Sequence, residues 1–287
     1  MTVLDQATHL RQMARRVQKR AQTIAITSGK GGVGKTNLAV NLASTLAAMK
    51  RRVVLLDADL GLANADILCN VQPRYNLAHV VAGQRTIDEV ITPVPQAAGG
   101  FSLIAGASGL ARMADLPEQD RKRILAELEA VQEVADVLII DTGAGIGRNV
   151  LSFTTTADHV VIVTTPEPTA ITDAYAVMKV LVRCGTNGKI SVMVNQAKGR
   201  DEAKGVHERI AAVSRQFLHT DVAFAGYVVH DPAVGLSVRK RAPFTIQYPH
   251  CAASECITAW AHRIHSHVES TPAQRQGFFS RLASWWR

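Results

Sequence analysis

Eight consecutive residues, Gly29-Lys30-Gly31-Gly32-Val33-Gly34-Lys35-Thr36, carry the most legible chemistry in this chain. An apolar run from Thr23 to Thr27 precedes them, and a helical pattern opens at Asn37. Strand, glycine loop and helix are the context in which such a loop is a phosphate cradle rather than a glycine-rich turn. Glycines let the backbone curl so that successive amides face inward as an anion nest. The helix N-terminus behind them adds positive potential. Lys35 is then placed to reach β- and γ-phosphates, and Thr36 to hold Mg²⁺ through its hydroxyl. Lys30 is a second lysine inside the loop, and the generic motif does not require it.

Three carboxylates end apolar runs. Asp57 and Asp59 follow residues 52–56, and Asp141 follows 137–140. An apolar strand closed by an aspartate is weak evidence alone. Beside a phosphate loop it is the form in which the carboxylate orients a Mg²⁺ shell, usually through water. Thr142-Gly143-Ala144-Gly145 follows Asp141 and is expected to be a flexible segment suited to sensing a terminal phosphate.

These groups meet only if their strands end at one edge. Strands are predicted over residues 23–28, 52–56, 101–104, 137–140, 159–165, 190–194 and 222–229. Helical patterns cover 37–49, 117–133, the stretch through Asp173, Tyr175 and Met178, and 202–217. The alternation predicts an α/β fold with a doubly wound, mostly parallel sheet flanked by helices. Right-handed crossovers place the polar strand ends together, where ligands bind. Asn195 ends one strand, and His230-Asp231-Pro232 follows another.

Length and composition narrow the class. At 287 residues and 47% apolar, the chain can bury one large α/β core with appendages. A net charge of +8 favours acidic partners, whether nucleic acid, anionic lipid or an acidic protein surface, without choosing among them. Cys69, Cys184, Cys251 and Cys256 form no CxxC or paired ligand set, which reads as reduced thiols in a cytosolic protein. His262, His265 and His267 do not share one helical face, so a surface helix is expected there rather than a metal site. No apolar signal core or bilayer-spanning run is present.

The two ends break the α/β pattern. Residues 1–21 include Leu10, Met13 and Val17 among Arg11, Arg15, Arg16, Lys19 and Arg20, a short basic amphipathic helix. It reads either as a solvated leader or as a segment that folds against a partner. Residues 271–277 read as a linker. In the segment 278–287, Phe278, Phe279, Leu282, Trp285 and Trp286 fall within roughly a 120° arc of a helical wheel, opposite Arg281 and Arg287. That face suits the headgroup boundary of anionic lipid. The alternative is a helix docked on the body or on another subunit.

Together these residues resemble a family. Lys30 to Thr36 resembles the deviant Walker A loop of the MinD/ParA class of P-loop ATPases. Residues 57–64 resemble its switch I and residues 141–145 its switch II. Residues 165–176, and the leader residues Asp5, Gln6, Ala7, Leu10 and Arg11 in a DQAxxLR pattern, are similar to the flagellar FlhG (YlxH/FleN) branch. Ala63, where MinD carries arginine, points the same way.

The resemblance implies ATP/ADP and Mg²⁺ as ligands and a homodimer in the presence of ATP. It implies that Gly29, Lys30, Gly31, Gly32, Val33, Gly34, Lys35, Thr36 and Asn37 hold the nucleotide. It further implies that Asn195 contacts adenine and that Asp231 and Pro232 close the base pocket. Thr36, Asp57 and Asp141 (through water) serve the Mg²⁺, Asp59 positions the attacking water, and Lys30 crosses to the partner subunit's phosphates. Slow ATP hydrolysis is expected, because no arginine finger is evident. By the same resemblance residues 22–269 are the ATPase domain and residues 1–21 stimulate the GTPase FlhF, with Gln6 contributing. Residues 270–287 bind the inner face of the cytoplasmic membrane reversibly through Phe278, Phe279, Arg281, Leu282, Trp285 and Trp286. Flagellar basal-body or transcription-regulator proteins are the implied further partners, and direct nucleic-acid binding is not expected. MinD-like division-site regulators, DNA-segregating ParA proteins and nitrogenase-type reductases share the loop. The leader speaks against the first and the aromatic terminal helix does not suggest the second; the third needs cysteines poised to ligate a cluster across the dimer, and a colourless purified protein would dispose of it.

Overall fold

In a computed structural model, residues 20–59, 64–95, 99–106, 110, 116–186, 188–270 and 277–285 are described. The strands with unbroken apolar sequence take the middle of one eight-stranded sheet, ordered β3-β4-β2-β5-β1-β6-β7-β8. They are β1 (Gln22–Ser28), β2 (Val53–Ala58), β5 (Val137–Ala144) and β6 (His159–Thr164), followed outward by β7 (Lys189–Ala197) and β8 (Ala223–Val229). A strand buried on both faces has no polar side to show, hence its continuous hydrophobicity. Alternation still sorts the side chains. Leu138 and Ile140 of β5 enter one core, while Val137 and Ile139 enter the other.

The sheet departs from its predicted composition at one edge. β3 (Ile91–Val94) runs antiparallel to β4 (Phe101–Ile104), pairing Ile91 with Ile104 and Val94 with Phe101. Four residues containing Pro93 give little periodic signal, and proline is tolerated there because an edge strand has one unpaired side. A second departure concerns residues 142–145. They were expected to be a flexible segment, but β5 continues to Ala144 with Thr142 buried, its hydroxyl donating to the Ile26 carbonyl at 3.1 Å.

One core holds α1 (Lys35–Ala48) against the sheet, with α11 (Ala252–Ser270) outside it and α2 (Ala65–Leu68), α9 (Pro232–Arg239) and α10 (Phe244–Gln247) around it. Sandwiched between sheet and helix, α1 is buried nearly all round. The opposite face carries α3 (Leu77–Val81), α4 (Ile87–Val90), α5 (Glu118–Val134), α6 (Arg148–Thr156), α7 (Pro168–Arg183), α8 (Arg200–Leu218) and α12 (Phe278–Trp285).

The last helix corrects the expectation of a free aromatic face. Phe278, Phe279 and Leu282 are no more than 1% exposed and belong to the main core, where α12 packs on α5 and α6. Burying three such side chains is worth on the order of 1.5–3 kcal/mol each. The arc that would suit lipid fits a protein groove equally well. Arg281, expected at a headgroup, instead pairs with Asp158 at 2.6 Å. Trp285 is half-buried with the Arg148 guanidinium 5.8 Å from its ring centre. Trp286 lies outside the described residues. No described helix is long and apolar enough to cross a membrane.

Candidate nucleotide site

The glycine loop leaves β1 and feeds α1. Ser28 fixes its entry: the hydroxyl donates to the Lys30 carbonyl at 2.7 Å, and the Ser28 carbonyl accepts the Gly145 amide at 2.7 Å. Gly32 (φ 78°) and Gly34 (φ 93°) take left-handed conformations that side chains resist, which turns the loop into the helix N-terminus. Gly29 is required by proximity, since a Cβ there would lie 2.2 Å from the Asp173 carbonyl of α7. Val33 and Lys35 are buried, while Gly31 and Gly32 face solvent.

The carboxylates converge as predicted. Asp57 and Asp141 stand directly opposite each other in the β2–β5 ladder. Asp57 accepts the amides of Asp59 and Ala65, both at 3.2 Å. Burial nevertheless pushes its pKa up to about 6, those two amides opposing the shift. Asp141 is 1% exposed, and both its oxygens lack a hydrogen-bond partner. Burial raises its pKa to about 7; the neighbouring Thr36 hydroxyl and Lys35 ammonium oppose that rise, and Asp57 and Asp59 reinforce it. Lys35 is shifted down by desolvation, against the attraction of Asp141 and Asp59. Asp59 lies against the end of β5, where a Cβ on Gly143 would sit 3.3 Å from its Oδ1.

Orphaned buried carboxylate oxygens are costly and call for a partner. A Mg²⁺ shell beside Thr36, Asp57 and Asp141 meets that demand with the hard oxygen donors this cation prefers. The residues present therefore fit the metal.

Lys30 is held within its own subunit. Its ammonium meets Glu167 at 2.8 Å and the Thr169 hydroxyl at 3.3 Å. Sequence spacing offered no sign of this pairing across the sheet. Asn195, expected at adenine, donates its amide to the Val33 carbonyl at 2.8 Å and so braces the loop, while also lining a cavity of about 320 Å³. Asn37, His230 and Asp231 line the same cavity, with Leu38, Gln196, Val234, Gly235 and Phe244, which the sequence reading did not single out. Gln196 has φ 58°, within the register irregularity of β7 between Val194 and Ala197, which pattern analysis does not detect. Asp231 does not itself need to touch a base to matter. Its side chain accepts the Ala233 amide at 2.9 Å and the Ala253 amide at 3.2 Å, capping α9 and tying it to α11, with Pro232 at the first helical position.

Several predicted residues fall elsewhere. Asp5, Gln6, Ala7, Leu10 and Arg11, and residues 60–63 of switch I, lie outside the described residues. Among the described residues no group of three or more His, Cys, Asp or Glu could hold a metal by itself. His265 meets Arg51 at 3.0 Å, and His267 packs on His159 with ring centres 5.0 Å apart.

The fold and the loop define a P-loop nucleotide-binding protein. Comparison with known proteins narrows this. The family described as an AAA domain matches residues 21–192. Antiactivator FleN of Pseudomonas aeruginosa is 38% identical over 245 residues, 85% of this chain and 86% of that protein. The flagellum site-determining protein YlxH of Helicobacter pylori is 32% identical over 265 residues, covering 90% and 88%. In the MinC:MinD cell division complex of Aquifex aeolicus, a solved chain is 26% identical with a TM-score of 0.69, covering 90% of this chain and all of that one. MinD of Pyrococcus horikoshii, solved with Mg-ADP, shares the fold at 20% identity and a TM-score of 0.67, covering 85% and 96%. The chain belongs to the MinD/ParA family of P-loop ATPases and is FlhG-like within it.

Proposed function

We propose that the chain is an ATP-driven switch that regulates flagellar number and placement. The observation that carries the nucleotide part is the convergence of the Gly29–Thr36 loop, desolvated Lys35 and unpartnered Asp141 at one sheet edge. The flagellar part rests on similarity to FleN and YlxH along most of the chain.

In this reading the loop amides and Lys35 bind the phosphates. Thr36, Asp57 and Asp141 hold Mg²⁺, which supplies charge neutralisation when bound. Asp59 orients water for attack on the γ-phosphorus, the bond to the β-phosphate oxygen breaks, and ADP and phosphate leave. Lys30 exchanges its exposed pairing with Glu167 for phosphates of a second subunit, which makes dimerisation depend on ATP. An exposed ion pair of this kind contributes about 1 kcal/mol or less, a small cost to such an exchange.

The terminal segments would give the dimer its outputs. Residues 1–21 would stimulate the GTPase FlhF, and α12 would reach anionic lipid after leaving its groove. Pairing two such helices strengthens weak membrane binding by effective concentration. FlhF GTPase turnover measured with the full chain and without residues 1–21 tests the first output. Equal stimulation by both would contradict it. Vesicle co-sedimentation with ATP and with ADP tests the second, and binding indifferent to nucleotide would contradict it.

A further inference from the structure

At the sheet end away from the glycine loop, two polar side chains, one buried and one half-buried, each hold both termini of the described chain. Gln132 of α5 is 3% exposed. Its Nε2 donates to the Ala21 carbonyl at 3.3 Å, and its Oε1 accepts the Phe278 amide at 2.9 Å. Asp158, between α6 and β6, does the same one step further along. Its Oδ2 accepts the Thr23 amide at 2.9 Å, and its Oδ1 pairs with Arg281 at 2.6 Å. Thr23 returns the bond, its hydroxyl accepting the Asp158 amide at 2.9 Å. The approach is so close that a Cβ on Gly277 would lie 2.8 Å from Arg20 and 3.1 Å from Gln132.

We infer that these two side chains are a clasp linking the seating of α12 to the order of residues 20–23, where the chain enters β1. The physics is that of shared partners. When α12 leaves, Gln132 loses the Phe278 amide and Asp158 loses its arginine. Asp158 is then a half-buried charge without that cationic partner, a state that costs free energy unless water enters or the carboxylate turns outward. Either response weakens the bonds to Ala21 and Thr23. Linkage makes the effect reciprocal: whatever pulls on residues 20–23 from the N-terminal side loosens α12 by the same factor. A partner engaging one end of the chain thereby alters the availability of the other. This inference does not depend on what either terminal segment binds.

Hydrogen exchange followed by mass spectrometry on the full chain tests it. Leu282→Asp removes an apolar anchor of α12 without touching the clasp, and Arg281→Gln removes one bond of the clasp. Thr23→Val removes the hydroxyl at the opposite end. The expected result is at least tenfold faster exchange of residues 20–23 in the two α12 variants and of residues 278–285 in Thr23→Val, with β7 residues 189–197 unchanged. If exchange in Leu282→Asp spreads to residues 189–197, the core has opened, and Arg281→Gln with Thr23→Val decide. Faster exchange confined to the mutated end in those variants overturns the inference, as does unchanged exchange at both ends.

Discussion

The two ends of the sheet use their polar groups in opposite ways. At the glycine-loop end, Asp141 has two unpartnered oxygens, Asp57 is pushed towards neutrality and Lys35 is desolvated. At the far end, Gln132 and Asp158 have partners on both sides, drawn from both chain termini. An end that awaits a ligand keeps its polar groups underpaired, whereas an end that holds the chain together completes them. Ligand binding therefore adds stability at the first end, and mutation removes it at the second.

The largest effect is expected at the loop. Lys35→Ala should reduce ATP turnover by about 100-fold or more, read as phosphate release, because it removes a cation aimed at developing charge. The same substitution should leave folding intact, since a desolvated lysine does little for the ligand-free protein. A variant that unfolds would mean the loop end is structural after all.

At the far end the sign reverses. Asp158→Ala should cost roughly 1–3 kcal/mol, a fall in melting temperature of several degrees, because Arg281 loses its carboxylate, keeping the Thr156 carbonyl, and the Thr23 amide loses its acceptor. Nucleotide binding should persist in that variant, as measured by titration calorimetry.

The ends also differ in pH response. Asp57 and Asp141 have folded pKa values of about 6 and about 7, above the ordinary 3.8. The folded state therefore holds their protons more tightly, and their contribution to ligand-free stability is lost as pH rises from about 4 to about 7. His159, at the far end, is lowered from 6.5 to about 4 by burial, with His267 adding to the shift. Its contribution is present above about 6.5 and lost as pH falls towards about 4. Asp141→Asn should raise the melting temperature of the ligand-free protein at pH 8 by a few degrees and flatten the decline between about pH 4 and about pH 7. An unchanged profile would show that Asp141 is not the strained group.

The smallest effect is expected at the Lys30–Glu167 pair, which is 42% and 63% exposed. Glu167→Ala should change stability by less than about 1 kcal/mol. It should instead shift the ATP concentration at which dimers form, as measured by light scattering.

Most of the fold and the phosphate chemistry could be read from local pattern. The loop is contiguous, and uninterrupted runs such as 137–140 announce buried parallel strands. Asp57, Asp59 and Asp141 follow because strand ends are where carboxylates meet a ligand. The unread features depend on distant contacts. β3 is four residues long and holds a proline, so no periodicity develops. Glu167 reaches Lys30 only through the adjacency of β1 and β6. Asn195 braces Val33 from a neighbouring part of the sheet. An aromatic stripe such as that of α12 has the same sequence signature for lipid as for a groove, and only tertiary structure distinguishes the two.

The central claim is that this loop is half of an ATP-gated dimer interface. The most direct measurement is the solution mass of Asp59→Ala, which should bind but not hydrolyse, by light scattering with Mg-ATP and with Mg-ADP. The account predicts twice the chain mass with ATP, the chain mass with ADP, and the chain mass in both when Lys30→Ala is added. A monomer with ATP, or a dimer that survives Lys30→Ala, would contradict it.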